Sequence, residues 1–524
     1  MAETKREIER KYESDEGGLP DLTGVAGIAT VLDKGVTELD ATYYDTSDLR
    51  LAAASITLRR RTGGSDAGWH LKLPVETGVR DEIRSPLSDT VPEELVRLVR
   101  SRVREGRLVP VMRLRSSRDV RELVDGKGRP LAEASVDAVR ADRLFGGEGS
   151  TRWTEIEVEL ADGADPAFLD KVDKRLRKAG VRPSASSSKL ARALSETASK
   201  KKRAQNKRAR HEGAQKKTSA AGRMPVGEKA GAGAPMTAGD HVLAYVRAQR
   251  DAIVALDPAV RQEAPDSVHD MRVATRRLRS TFRTFRKVLD PAVTAPIADE
   301  LKWLAGELGA GRDQEVLDER LAAALDDLPR PLVSGPVDAR LRAWAQARHR
   351  DARRRLLGVL DSPRHLTLLD ALDALVADPP LLEAAGRKPA KVLAKAVRKD
   401  FRKVSALIGQ ALEQPAGQAR DVGLHEARKK TKRTRYAAET AVPALGGSAK
   451  ALAKSMKSLQ SLLGDHQDSV MARRTLRELS AVAHAAGESA FTYGVLYGRE
   501  EGRAGSAEEA LPDVWKRVCE QMEV

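Results

Sequence analysis

The pattern of apolar and polar positions changes character once along the chain. Up to about residue 183, apolar and charged residues alternate in short runs, which is typical of strands with one apolar and one charged face. These runs are 7–11, 56–61, 69–73, 111–115 and 153–160. Glycine-containing turns separate them, and helical stretches are predicted near 92–105 and 165–179. Several short strands with hairpin turns predict an antiparallel barrel or sandwich.

From about residue 240 the pattern is helical. Ala, Leu, Arg and Glu dominate, and breaks fall near Asp290-Pro291, 328–331, Pro379-Pro380 and Pro415. Helices with such short breaks predict antiparallel bundles. The segment 200–239 is rich in Lys, Arg, Ala and Gly without apolar periodicity, which predicts a flexible basic linker. The expected chain is therefore an α+β multidomain protein, with domains at 1–199 and 240–524.

The helical half contains an internal duplication. His269 and His425 each precede basic residues at the third, seventh, eighth and tenth following positions. Leu308-Gly309 and Leu463-Gly464 form a second matching pair, and the distances from histidine to glycine are 40 and 39 residues. The shared order and spacing predict two repeats, at about 240–380 and 381–524.

Each repeat carries a basic stripe along one helix face. At about 100° per residue, the first histidine and three arginines fall within an arc of roughly 80°, with apolar residues on the other side. An ordinary solvated basic face is one interpretation, but few acidic residues interrupt the stripe and the pattern occurs twice. Two such helices facing each other would line a positive groove suited to phosphate. The stripe residues are His269, Arg272, Arg276, Arg279, His425, Arg428, Lys432 and Arg435.

Charge and composition narrow the function classes. The 524 residues carry a net charge of +16, of which residues 1–200 contribute zero, 201–237 contribute +8 and 238–524 contribute +8. Such a balance attracts nucleic acid, anionic lipid or polyphosphate, and charge alone does not choose among them. Only 3% of the residues are aromatic, which argues against stacking of bases.

The apolar runs, the first residues and the cysteine content of the sequence indicate the cellular compartment that we expect for the protein. Its apolar runs fall short of the roughly 18–20 residues that span a bilayer, and it opens on charged residues rather than on a secretory signal. Cys519 is the single cysteine, which excludes a disulfide framework and a cysteine-rich zinc site. We therefore expect a cytoplasmic protein with no membrane partner.

Charged residues at alternate positions share strand faces in the N-terminal half. Glu7, Glu9 and Lys11 form one such row. Bases recur at Arg59 and Arg61, at His70 and Lys72, and at Arg113 and Arg115; acids recur at Glu133 and Asp137 and at Glu155, Glu157 and Glu159. If these rows point into a closed barrel, the lumen suits a metal-bound polyphosphate. If they point outward, they are surface charge.

Residues 7–11, Glu-Ile-Glu-Arg-Lys, match the ExExK signature of the CYTH, or triphosphate tunnel metalloenzyme, superfamily. The resemblance covers about residues 3–195, and about 240–520 resembles the CHAD, or conserved histidine α-helical, domain. CYTH membership implies a closed antiparallel β tunnel that binds a triphosphate with a divalent metal. Members hydrolyse inorganic triphosphate, thiamine triphosphate or RNA 5′-triphosphate, or cyclise ATP. CHAD membership implies binding of inorganic polyphosphate by the histidine and basic positions of the two stripes.

The resemblance also implies roles for the matching residues. Glu7, Glu9 and Lys11 would be catalytic. Ligands of Mg²⁺ or Mn²⁺ would be Glu7, Glu9, Asp137, Glu155, Glu157 and Glu159. Substrate phosphates would be bound by Lys11, Arg59, Arg61, Lys72, Arg113, Arg115 and Lys189.

The leading hypothesis is a metal-dependent triphosphate phosphohydrolase, inorganic triphosphatase-like, joined to a polyphosphate-binding domain. The alternative is a non-catalytic polyphosphate-binding protein. A third hypothesis, nucleic-acid binding through the linker and the stripes, makes RNA or DNA a partner, and we do not expect it. A cyclase is not expected either, because the sequence shows no base-recognition motif.

Overall fold

The computed structural model describes residues 3–14, 18–198 and 236–521. The chain divides into two compact units, and the boundary falls between Arg223 and Met224. Residues 200–235 of the predicted linker lie outside the described residues, and the first helix of the second unit begins at Ala238.

The first unit is a closed antiparallel barrel. Its strands are β1 (Glu3–Ser14), β2 (Thr30–Asp45), β3 (Thr57–Thr62), β4 (Gly68–Glu76), β5 (Val79–Ser85), β6 (Val109–Val124), β7 (Pro130–Arg143), β8 (Ser150–Leu160) and β9 (Arg182–Pro183). The order is β5-β4-β3-β2-β6-β7-β8-β1-β9. Because β1 also pairs with β5, eight strands close on themselves, and the two-residue β9 adds to β1. The sequence prediction of a barrel is thereby confirmed.

Helices cover the apolar outer face of this barrel. They are α1 (Arg50–Ala53), α2 (Glu93–Val103) and α3 (Ala167–Lys178), whereas α4 (Lys189–Glu196) packs at one end of the lumen. Leu169 and Val172 of α3 pack against Ile156 and Val158, while Leu95 of α2 packs in a second cluster with residues of β3, β4 and β5. Burial of the apolar positions outside, beneath these helices, leaves the alternate charged positions facing the lumen.

One end of the lumen is apolar. Leu190 of α4 belongs to a buried cluster with Met112, Leu114 and Trp153. Trp153 lies two residues before Glu155 and therefore on the same strand face as the acidic row. The charged part of the tunnel consequently begins beyond this apolar layer.

The second unit is all-helical within residues 236–521. Its helices are α5 (Ala238–Arg261), α6 (Ser267–Thr284), α7 (Pro291–Asp326), α8 (Val337–Asp361), α9 (Pro363–Ala377), α10 (Pro389–Glu413), α11 (Gln418–Leu445), α12 (Gly447–Ala485) and α13 (Phe491–Glu520). Helices α6 and α7 pack together, as do α11 and α12, and α6 also contacts α11. In the described ranges 3–14, 18–198 and 236–521, a helix with the length and apolarity needed to cross a bilayer does not occur.

The duplicated landmarks occupy matching places in the two helix pairs. The Arg272 guanidinium lies so close to Gly309 that a Cβ there would sit 3.0 Å from Nη2. At Gly464 a Cβ would sit 3.6 Å from Nη2 of Arg428. Each repeat thus places the arginine of its basic stripe over a glycine of the following long helix.

Candidate active site

The strand register brings the charged rows to one side of the barrel wall. Lys11 is opposite Glu157, and Asp137 is opposite Glu155. The rows surround a cavity of about 320 Å³. Its charged lining comprises Lys5, Glu7, Glu9, Lys11, Arg59, Arg61, Asp66, Lys72, Arg80, Glu82, Arg84, Arg118, Glu122, Glu133, Glu157, Glu159 and Lys189.

Lys189 joins three buried carboxylates. It is the first residue of α4, whose start is capped by the Ser188 side chain accepting from the backbone nitrogen of Ala191 at 3.1 Å. Its Nζ lies 2.9 Å from Asp137 Oδ2, 2.9 Å from Glu155 Oε1 and 2.6 Å from Glu157 Oε1. Burial lowers the pKa of Lys189, but the attraction of these carboxylates outweighs burial and raises the pKa above its usual value.

Arg118 holds the other side of the same acidic cluster. Its Nε and Nη2 each donate to Asp137 at 2.7 Å, and Nη2 also donates to Glu157 Oε2 at 2.8 Å. Burial raises the pKa of Glu157, but Lys11, Lys189 and Arg118 together lower it well below its usual value. Glu157 is therefore ionised at neutral pH and can act as a ligand.

The donor set fits a hard divalent cation. Asp137, Glu155 and Glu157 are buried, and each offers an oxygen within 4.8 Å of the other two. Such oxygen donors are the ligands that Mg²⁺ and Mn²⁺ prefer. The cluster therefore passes the chemical test for the ion that the sequence resemblance implies.

Two lysines link the β1 carboxylates to neighbouring strands. Lys11 Nζ donates to Glu9 Oε2 at 2.9 Å and also forms an ion pair with Glu157. Lys72 forms an ion pair with Glu7 and lies 3.4 Å from Glu82 Oε1. Burial raises the pKa of Glu7 to about 7, although Lys72 partly opposes this.

Arginines of β3 and β6 crowd together in the same lumen. Arg59 Nη1 donates to Tyr43 Oη at 3.3 Å, and Arg61 pairs with Asp66. Burial, together with repulsion from Arg59 and Arg118, lowers the pKa of Arg61 to about 9. The site thus holds positive charge that an anionic ligand would stabilise.

The structure brings most of the predicted tunnel residues together. Those around the cavity or its acidic cluster are Glu7, Glu9, Lys11, Arg59, Arg61, Lys72, Asp137, Glu155, Glu157, Glu159 and Lys189. Glu159 lies slightly apart, with Lys5 Nζ 2.9 Å from its Oε1. Their chemical roles remain predictions.

Arg113 and Arg115 require a correction. Both are exposed on the outside of the barrel, where Arg113 Nε donates to Asp40 at 3.0 Å and Arg115 Nη2 donates to Asp142 at 2.6 Å. The inward positions of β6 at this level are the apolar Met112 and Leu114. The expectation that these arginines bind phosphate inside the tunnel is therefore wrong.

The predicted basic stripes meet where α6 contacts α11. Arg276 is half-buried there, and its pKa is lowered by burial and by repulsion from Arg272 and Arg428, while Tyr436 partly opposes this. Arg279 is also half-buried, and burial and Arg283 lower its pKa. His269 is exposed at the start of the stripe. The two repeats therefore face each other through like charges.

Acceptors from neighbouring positions orient part of the second stripe. Gln467 Oε1 lies 2.6 Å from His425 Nδ1, and Arg435 Nε donates to Glu439 at 2.8 Å. Burial raises the pKa of Asp468, and its attraction to Arg428 and Lys432 opposes this. The stripe is thus less one-sided in charge than the sequence alone predicts.

Comparison with known families decides the identity of both units. The CYTH domain family matches residues 5–194, and the CHAD domain family matches residues 244–477. This chain is a CYTH–CHAD protein. Two uncharacterized proteins of Mycobacterium tuberculosis, from the CDC 1551 / Oshkosh and H37Rv strains, are each 37% identical to it over 98% of this chain and 96% of their own length.

Two more distant similarities accompany these. A thiamine-triphosphatase of Macaca fascicularis is 42% identical over 79 residues, which is 15% of this CYTH–CHAD protein and 31% of the macaque protein. The solved structure of PptA from Streptomyces chartreusis is 21% identical and covers 54% of this chain and 100% of its own, with a TM-score of 0.45.

Sequence reasoning missed several charged residues of the CYTH tunnel. Arg80, Glu82 and Arg84 line the cavity, and their alternation in β5 is a signal that was present. Arg118 gave no such signal, because both faces of β6 are polar around it, with Asp119 on the opposite face. Its place in the site depends on the register with Asp137 in β7.

A second basic groove in the CHAD domain was also missed. A cavity of about 760 Å³ lies between the end of α6 and α10. Lysines at every fourth position of α10 line one side, a spacing that puts them on one helix face. The basic lining is Arg283, Arg286, Lys287, Arg387, Lys391, Lys395, Lys399, Lys403 and Arg433, and the acidic lining is Asp299 and Asp400.

Proposed function

We propose that the CYTH domain is a metal-dependent phosphohydrolase that removes the terminal phosphoryl group of a triphosphate, with inorganic triphosphate as the first candidate. The observation that carries this proposal is the buried acidic cluster set among inward-facing bases in a closed tunnel. CYTH members often act as triphosphatases or cyclases, and the similarity to a thiamine-triphosphatase supports the same substrate class.

The acidic cluster is the proposed metal site. Asp137, Glu155 and Glu157 would hold Mg²⁺ or Mn²⁺, in keeping with the general metal dependence of CYTH enzymes. The ion would supply positive charge to the phosphate oxygens and promote ionisation of the attacking water. Lys189 contacts all three carboxylates, so we expect its ammonium group to turn to a substrate phosphate when that charge is supplied.

The basic wall is the proposed phosphate-binding surface. Arg59, Arg61 and Arg118 repel one another, and phosphate oxygens would relieve this repulsion through charge-assisted hydrogen bonds. Lys11 and Lys72 neutralise carboxylates that would otherwise repel the substrate. Charge that moves to the leaving phosphate is thus stabilised by groups already in position.

Glu7 is the proposed proton acceptor. An efficient general base has a pKa near the working pH, and burial raises the pKa of Glu7 to about 7. Glu9, which Lys11 contacts, is held ionised because the attraction of Lys11 outweighs burial and lowers its pKa. The two carboxylates of the signature therefore differ in charge state near neutral pH, which suits a division between proton transfer and charge stabilisation.

The decisive experiment is a phosphate-release assay on the full chain. Inorganic triphosphate, thiamine triphosphate, ATP and long-chain polyphosphate are compared with Mg²⁺ and Mn²⁺. We expect metal-dependent release from a triphosphate and a loss of at least about 100-fold in Glu157→Gln, with Arg115→Gln as the outward-facing control. If wild type released phosphate no faster than Glu157→Gln, the result would favour the alternative, which is a polyphosphate-binding protein without catalysis.

For the CHAD domain we propose binding of inorganic polyphosphate, which is the ligand class of CHAD domains. The repulsion among Arg272, Arg276 and Arg428 where α6 meets α11 supports this, because a polyanion would relieve it. The test is competition: long-chain polyphosphate should displace labelled polyphosphate, and RNA or DNA at equal phosphate concentration should not. Displacement by RNA would overturn this assignment.

A further inference from the structure

Three helices of the CHAD domain bring together a histidine and two carboxylates. Asp421 lies in the first turn of α11, His466 in α12 and Glu508 in α13. His466 Nε2 is 3.1 Å from Glu508 Oε1 and 3.2 Å from Asp421 Oδ1. The three atoms lie within 4.8 Å of one another, and His466 is 2% exposed.

Arginines hold the outward oxygens of both carboxylates. Asp421 Oδ2 is 3.6 Å from Arg473 Nη2, and Glu508 Oε2 is 3.2 Å from Arg420 Nε. Each carboxylate therefore directs one oxygen to an arginine and the other to the histidine nitrogen. Metal ligands are commonly oriented in this way by groups that contact their remaining polar atoms.

The spacing of these atoms matches the coordination sphere of a first-row divalent ion. Ligands at about 2.0–2.2 Å from such an ion are about 3.0–3.4 Å apart when they occupy neighbouring positions. The two distances from His466 Nε2 fall within this interval. One imidazole and two carboxylates also form a donor set that Zn²⁺, Mn²⁺ and Fe²⁺ accept.

The shared architecture of the repeats does not require this cluster. In the first repeat the position of His466 is taken by Gly311, and the position of Asp421 is taken by Pro265. The first repeat nevertheless forms the same helix pair and the same arginine–glycine contact. A buried histidine between two carboxylates is thus an addition confined to the second repeat.

We propose that His466, Asp421 and Glu508 form a binding site for a first-row divalent cation of the Zn²⁺ class, in addition to the metal site proposed in the tunnel. The site lies one helical turn from His425 on α11, and the residue after His466, Gln467, contacts that histidine. A bound cation stands at the edge of the basic stripe, where its open positions are available to water or to a phosphate oxygen.

The test is Co²⁺ and Zn²⁺ binding to the full chain after treatment with a chelator. Equilibrium dialysis counts the bound ions, and the visible spectrum of Co²⁺ reports a nitrogen ligand. Wild type should bind one ion more per chain than His466→Asn and should show a nitrogen-ligated Co²⁺ spectrum that this variant lacks. His484→Asn, an exposed histidine on the same helix, should behave as wild type.

Two further variants keep the test decisive if His466→Asn is destabilised. Asp421→Asn and Glu508→Gln preserve side-chain shape, and each should weaken Zn²⁺ binding at least about 10-fold. Glu157→Gln disrupts the tunnel cluster and should retain ion binding at His466, Asp421 and Glu508. A failure of the tunnel proposal can therefore be told apart from a failure of this one. Equal ion counts and spectra in wild type and the three site variants would show a salt-bridged histidine only and would overturn the proposal.

Discussion

Lys189 lies near the C-terminal end of the CYTH domain in sequence, and its side chain reaches the acidic cluster inside the tunnel. Its ammonium group contacts carboxylates on β7 and β8, and all of these groups are buried. A buried charge network of this kind is stable only while each member keeps its partners. Lys189 therefore contributes to folding as well as to the proposed chemistry.

Replacement of Lys189 by Met should affect both properties. Loss of the ammonium group leaves buried carboxylates with less compensation, which costs about 3–5 kcal/mol when one partner of a buried pair is removed. Urea unfolding measures this cost, and phosphate release from triphosphate should fall with it. Arg113→Met, on the outer face, should change neither. Full hydrolysis by Lys189→Met would contradict the role given to this residue.

Glu7 makes stability depend on pH. Its pKa is about 7 in the folded protein against 4.5 ordinarily, so the folded state binds the proton more tightly. The contribution of Glu7 to the free energy of unfolding is therefore most favourable below pH 4.5, and it is lost as the pH rises to about 7. Relative to Glu7→Gln, wild type should lose up to about 3 kcal/mol over this window.

Urea unfolding of wild type and Glu7→Gln at pH 5 and pH 8 checks this prediction. The exposed Glu76, at the end of β4, provides the matched control, because Glu76→Gln should show no such pH-dependent difference. A wild-type advantage that grows with pH would refute the raised pKa.

At the scale of elements, the contact between α6 and α7 depends on the absence of a Cβ at Gly309. A Cβ at Gly309 would lie 3.0–3.2 Å from three atoms of the Arg272 guanidinium and would displace it. Gly309→Ala should therefore weaken polyphosphate binding several-fold. At Gly464 the corresponding space is wider, at 3.6 Å, so Gly464→Ala should have a smaller effect.

Gly306, one turn earlier in α7, is the matched control. A Cβ there meets no atom within 4 Å, so Gly306→Ala should leave polyphosphate affinity unchanged and stabilise the helix by up to about 1 kcal/mol. Affinities measured by titration calorimetry and unfolding curves separate the two effects. Equal losses of affinity in Gly306→Ala and Gly309→Ala would show that helix propensity, not the arginine contact, is responsible.

At the scale of the whole molecule, the two compact units have separate cores and separate charged sites. Glu157→Gln should abolish triphosphate hydrolysis and leave polyphosphate affinity intact. The double variant Arg276→Ala/Arg428→Ala should weaken polyphosphate binding and leave triphosphate hydrolysis intact. Polyphosphate affinity should also fall at least about 10-fold between about 50 and 200 mM salt, because binding releases counterions. Loss of both activities in either variant would contradict this separation.

The sequence by itself determined which residues share a strand or helix face, because alternation and helical periodicity are local properties. It thereby predicted the acidic row of β8, the pair of basic stripes and the duplication. It also predicted the fold class, since the strand and helix patterns occupy different halves of the chain.

Only the tertiary structure decided which face of each strand looks inward. Arg113 and Arg118 are both basic residues of β6, yet the first lies outside and the second contacts Asp137 within the tunnel. The reason is that closure through the pairing of β1 with β5, and coverage of the outer face by helices, select one face for the lumen. Contacts such as that between Lys189 and Glu157 depend on this closure, and a local pattern carries no information about it.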